Sequence, residues 1–119
     1  MIGHFKDAGS AAKAKQIIDW LTEQVNADVE AGEIQVGSPP QRITERMMEL
    51  FRKINLYIIG PPEVEQFAYD VNVKLDDAKI VVTTDESDVS AFLKVLVDHG
   101  ARVEVFSAHF YKEGQGFID

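Results

Sequence analysis

The stretch from Glu63 to Asp88 constrains the fold more than any other part of the chain. Phe67, Tyr69, Val71, Val73 and Leu75 alternate with Ala68, Asp70, Asn72 and Lys74, the period of a strand with one buried face. Asp76-Asp77 supplies a turn, and Lys79-Ile80-Val81-Val82-Thr83 returns as a more continuously apolar strand. The pattern predicts a β-hairpin feeding a helix that begins near Asp85-Glu86-Ser87-Asp88. The same stretch holds eight acids against Lys74 and Lys79, so it carries −6 of the chain's net −8.

Around this hairpin the other elements fall into order. Ile2 and Phe5 suggest a short first strand, and Asp7 and Ser10 are plausible caps for a helix reaching about Val29. Ala14, Ile17, Ile18, Leu21 and Val25 recur at helical spacing along it, with Trp20 beside them as a core or rim anchor. Gly37-Ser38-Pro39-Pro40 reads as a loop and a helix start, with Ser38 as the cap. Ile43, Met47, Leu50, Phe51 and Ile54 then share one face of a second helix. Leu56-Tyr57-Ile58-Ile59 is either the end of that helix or a short extended piece, and Gly60-Pro61-Pro62 stops it. Val89, Phe92, Leu93, Leu96 and Val97 stripe a third helix that ends at Gly100. A last strand runs from Arg102 to about Tyr111, and residues 112–119 form a loose tail.

The order β-α-α-β-β-α-β, with the second helix as an insertion, predicts a ferredoxin-like split βαβ sandwich with an antiparallel-rich four-stranded sheet. The first and third strands are expected in its middle. A chain of 119 residues makes one domain.

Such a sandwich leaves one sheet face without helices, and the last strand is apolar on both sides. Val103 and Val105 point one way, and Phe106, Ala108 and Phe110 the other. A bulge near Phe106, cover by residues 33–62, or a second copy of the chain would each resolve the surplus. The expectation adopted is a homodimer with Phe106, Ala108 and Phe110 in the interface.

Charge and composition exclude several function classes. A net charge of −8 opposes nucleic acid or an anionic membrane as partner. Cysteine is absent, which removes disulfides and thiol chemistry and fits a reducing cytosol. No run is long and apolar enough to span a bilayer. No phosphate-binding glycine loop, nucleophile elbow or zinc-binding helix motif is present, and neither a cofactor nor a specific metal site is expected.

Two groups of residues remain as candidate sites. Glu63 and Glu65 should enter the hairpin at the end where Asp85, Glu86 and Asp88 leave it, gathering five carboxylates for a basic protein partner. Helix capping and solubility are the plainer roles for the same acids. Neighbouring first and last strands would bring His4 near His109 and Tyr111, and with Tyr57 these are the polar groups of a possible pocket between sheet and helices. His99 sits where an imidazole meets helix-end carbonyls. Arg42, Arg46, Arg52 and Lys53 make the second helix the one clearly basic element.

The segments MIGHFKD, IDWLTEQV, GSPPQRITE and AHFYKEG resemble pieces of a small bacterial family of unknown function, over most of the chain. That resemblance implies a bacterial cytosolic protein and carries over no catalytic residue. In plan the chain is also similar to acidic bacterial regulators that bind an enzyme, such as the protein inhibitors of ribonuclease E, a likeness of topology and acidity. The reading is a small acidic, non-enzymatic interaction protein: an inhibitor, immunity protein or defence-related adaptor. The alternative is a dimeric ferredoxin-like small-molecule binder or enzyme.

Overall fold

The computed structural model describes residues 1–38 and 42–106. In chain order these form β1 (Ile2–His4), α1 (Ala8–Glu30), α2 (Glu45–Ile54), α3 (Pro61–Val64) with a 3₁₀ turn (Glu65–Ala68), β2 (Val71–Asp76), β3 (Lys79–Thr84), α4 (Ser90–Asp98) and β4 (Arg102–Glu104). The sheet runs β2-β3-β1-β4, and every neighbouring pair is antiparallel. The chain is thus mixed α+β, with β1 and β3 central.

Register decides which sheet face is buried. Gly3 lies opposite Ile80 on one side and Val103 on the other, and Val73 and Leu75 oppose Val82 and Ile80. A Cβ on Gly3 would sit 3.2 Å from Leu96 of α4, so glycine allows the helix to close on the central strand. Side chains alternate across a strand, so Ile2, His4, Lys79 and Val81 occupy the other face. The helical side is filled by Ile17, Ile18, Leu21 and Val25 of α1, by Phe92, Val95 and Leu96 of α4, and by Ile80 and Val82. Each such side chain contributes about 1.5–3 kcal/mol on burial, and this is what orders the two layers.

The helix ends are set mostly by nearby residues, and in part by distant ones. Asp7 caps α1 by accepting from the Ser10 N–H at 2.7 Å, which holds its carboxyl below the usual range. Gly100, at φ 90°, ends α4 as the left-handed residue that glycine adopts without a Cβ clash. Thr44, not Ser38, caps α2 by accepting from Met47 N–H at 3.2 Å. Its own hydroxyl donates to Asp28 at 2.8 Å. Asp28 is fully buried in the last turn of α1 and also accepts from Gln24 Nε2 at 3.0 Å. A partner sixteen residues away thus moves the start of α2 past the proline pair, whose Pro39 and Pro40 lie outside the described residues.

Four further expectations are corrected. The first hairpin strand begins at Val71 rather than Phe67. Gly60-Pro61-Pro62 opens a helix instead of only stopping one, with Pro at its first turn and Glu63 reaching back to the Gly60 N–H. Phe67 therefore sits in the 3₁₀ turn and packs on Phe92 with ring centroids 4.9 Å apart. The last helix begins at Ser90 rather than at residues 85–88, because Asp88 and Thr84 spend their oxygens on the Ser90 and Glu86 N–H groups of the intervening loop. The last strand ends, among the described residues, at Glu104. Val103 joins the helix-facing side, and Val105 and Phe106 follow the strand with both side chains exposed. Leu56-Tyr57-Ile58-Ile59 is irregular, with Leu56 and Ile59 buried and Tyr57 and Ile58 exposed.

Among the described residues the second sheet face is mixed in character. Lys74, Val81, Ile2 and Glu104 form one cross-strand row, and Asp76, Lys79, His4 and Arg102 the next. Charges of both signs flank a small half-buried centre of Ile2 and Val81.

The Asp28 contacts generate a stability prediction. Asp28→Ala should destabilise the fold by about 2–3 kcal/mol in urea unfolding, since it removes charge-assisted bonds and leaves the half-buried Thr44 hydroxyl without its acceptor. Arg46→Ala, whose half-exposed guanidinium lies 3.6 Å from Asp28, should cost under about 1 kcal/mol. Equal losses for the two variants would show that Asp28 is not the anchor.

Candidate functional site

The acidic end forms where β2 enters the sheet, β3 leaves it and α4 begins, but its five carboxylates divide into two kinds. Glu63, on α3, is mostly covered and accepts three bonds. Lys94 Nζ donates at 2.7 Å, Ser90 Oγ at 2.7 Å and the Gly60 N–H at 2.9 Å. Glu65 is buried and accepts from the Gly37 N–H at 2.9 Å and from Tyr69 Oη at 3.3 Å. Both glutamates therefore tie chain segments together. Asp85, Glu86 and Asp88 remain exposed on the loop between β3 and α4.

Electrostatics link the two kinds. Burial, followed by the charge of Glu65 and its hydrogen bond, pushes the Tyr69 hydroxyl above its ordinary range, and Glu86 and Asp88 push it the same way. Glu65, Glu86 and Asp88 thus all act on Tyr69. What the sequence did not show is that Glu63 and Glu65 have internal partners.

Ser90, Glu63 and Lys94 invite comparison with an activated nucleophile, and the geometry argues against it. Burial raises the Glu63 pKa, but bonds from Lys94, Gly60 and Ser90 and the charge of Lys94 outweigh it, leaving the carboxyl below its ordinary value. A carboxylate so held is a poor general base for a serine hydroxyl. Ser90 Oγ also accepts from Gln66 Nε2 at 3.2 Å, while Gln66 Oε1 takes the buried Ala91 N–H at 2.7 Å. With the Ser90 N–H given to Asp88, the first donors of α4 are already paired. The set joins the Gly60–Ala68 segment to α4 and offers no open place for an anion.

The histidine and tyrosine candidates do not assemble in the described residues. His4 pairs with the Glu104 carboxylate on the sheet face turned away from the helices. Tyr57 is 65% exposed in the segment after α2, whereas His109 and Tyr111, like the interface candidates Ala108 and Phe110, lie outside the described residues. Phe106 is described, and its ring is half exposed. Among the described residues no three His, Asp or Glu side chains come together in a way that could hold a metal ion, and no helix is long and apolar enough to cross a membrane. His99 ends α4, its N–H bonded to the Val95 carbonyl.

Among the described residues, one concavity lies on the helical side of the molecule. A groove of about 580 Å³ opens between α1 and α2, lined by Trp20, Glu23 and Gln24 from one and Leu50, Lys53 and Ile54 from the other. Sequence reasoning missed it, although Trp20 sits at the edge of the α1 stripe and Leu50 and Ile54 at the edge of the α2 stripe. Apolar residues at two stripe edges are the signal that could have found it.

With this geometry in place, comparison with known proteins adds one finding. The chain belongs to a family of unknown function (DUF6375), whose profile matches residues 1–116. Neither a curated protein nor a solved structure matches it.

The Glu63 contacts make stability pH-dependent with a definite sign. Because the folded-state pKa lies below the ordinary 4.5, the carboxylate's contribution is complete above that value and is lost as pH falls through the lowered one. Glu63→Gln should therefore cost about 1–2 kcal/mol at neutral pH, with the gap to the parent closing in acid. A gap that stayed constant across urea melts at neutral and strongly acid pH would contradict the assignment.

Proposed function

We propose that this member of DUF6375 is a small non-enzymatic interaction protein of the bacterial cytosol that docks on a basic protein surface through residues 85–88. One observation carries the proposal: Asp85, Glu86 and Asp88 are exposed together on a loop braced at both ends, by Thr84 and by Ser90. A braced acidic loop presents its charge at little entropic cost, and complementary charge steers a basic partner into register. The self-satisfied Ser90–Glu63–Lys94 set favours binding over catalysis for the same end of the molecule. The antiparallel order β2-β3-β1-β4, with α1 and α4 packed against one face, supports the ferredoxin-like reading of the fold.

The test separates loop from scaffold. A tagged chain incubated with native bacterial lysate should retain a basic protein at low ionic strength and release it at about 0.5 M salt, where charges are screened beyond about 4 Å. Asp85→Lys, Glu86→Lys and Asp88→Lys combined should abolish retention without lowering the melting temperature, since these side chains are exposed. Glu63 and Glu65 are left intact because they hold the fold. Retention that survives the triple reversal would sink the proposal.

A further inference from the structure

We infer that the groove between α1 and α2 is the seat of a second copy of this chain, joined across a two-fold axis. The inference is independent of the acidic-loop reading and places the dimer contact on the helices rather than on the sheet.

Charge sets the first condition on self-association. A molecule of net charge −8 repels its own copy over most of its surface. The helical pair is free of that surplus: α1 and residues 42–54 together hold six basic and six acidic side chains. A neutral face lets two copies approach without adding repulsion at the contact.

The groove's lining then specifies its occupant. Trp20, Leu50 and Ile54 form an apolar strip, with Trp20 41% exposed. An indole with this much uncovered surface is the side chain most often found at the energetic centre of an interface. Glu23 stands on the α1 wall and Lys53 on the α2 wall. Both are exposed, and among the described residues neither takes part in an ion pair. A two-fold contact is self-complementary: where residue i meets residue j, j also meets i. A surface with one acid and one base on opposite walls satisfies that rule with its own copy, each Glu23 meeting the other protomer's Lys53. Size also fits. A stable contact takes about 800 Å² per partner, roughly a tenth of this chain's 7412 Å². A helix of 23 residues is about 34 Å long, and beside a second helix about 10 Å away it presents an area of that order.

Trp20 is the chain's one tryptophan, so its fluorescence reports the proposed contact directly. Sedimentation equilibrium and Trp20 emission are followed together from low micromolar to submillimolar protein. The expected result is a rise from monomer to dimer mass with a blue shift that tracks it. Glu23→Lys alone and Lys53→Glu alone should each weaken the dimer about tenfold, because each creates like-charge pairs twice over. The double variant Glu23→Lys/Lys53→Glu, which restores opposite charges, should regain the parent's affinity. Far-UV circular dichroism confirms that these surface variants are folded. A monomer at every concentration would overturn the inference and assign the groove to a different chain or a small apolar ligand. A dimer indifferent to the single reversals, or one the double variant fails to restore, would overturn it in favour of another contact surface.

Discussion

The attachment of the Gly60–Ala68 segment to the first turn of α4 is the constraint on which the rest of the molecule depends. Val89, at the N-cap position of α4, contributes no side-chain cap, so the helix would begin with unpaired N–H groups. Gln66 and Asp88 supply the missing acceptors, and Glu63 secures Ser90 and Lys94 from the side. One short helical segment therefore closes the long connection between α2 and the hairpin, seals the end of the core with Phe67 and fixes where β2 enters the sheet. Because its polar atoms are buried or half-buried, losing one partner leaves others unsatisfied. No side-chain nitrogen or oxygen buried among the described residues lacks a partner, which is what a fastening of this kind requires.

How much of this was legible follows from how local each determinant is. The Asp7 cap, the α1 stripe, the turn at Asp76-Asp77 and the apolar run of β3 are set by residues within a few positions of one another, and they were readable. The central placement of β1 and β3 followed from element order. The start of α2 was not readable, because Thr44 is held by Asp28 sixteen positions away and Asp28 looks like an ordinary helix-end acid. The hairpin strand was drawn too long because Phe67 and Tyr69 continue a period-two pattern by coincidence, while the proline pair before them starts a helical turn. Alternation over two residues is weaker evidence than a proline at a helix's first position.

The candidate site was half legible for the same reason. Composition and order brought the acids to one end of the sheet, and Tyr69 marks that neighbourhood. Whether a carboxylate is presented or consumed depends on partners at long range: Gly37 for Glu65, Lys94 and Ser90 for Glu63. Sequence spacing carries no information about those pairs. Of the five carboxylates three stay exposed, and the other two have internal partners.

The two surfaces put forward are compatible because different elements carry them. The groove is carried by α1 and α2, whereas residues 85–88 lie between β3 and α4. A second copy seated on α1 and α2 would leave residues 85–88 uncovered at the start of α4. A two-fold dimer would then display two acidic loops on one rigid body. If a basic partner offers two sites at a matching distance, the second loop binds at an effective concentration set by geometry rather than by bulk protein. Three exposed carboxylates make a weak contact alone, since screened surface pairs contribute little each. Doubling them on a fixed frame would raise affinity without any new contact, and a neutral helical contact would join two such loops on one body without adding repulsion at the seam.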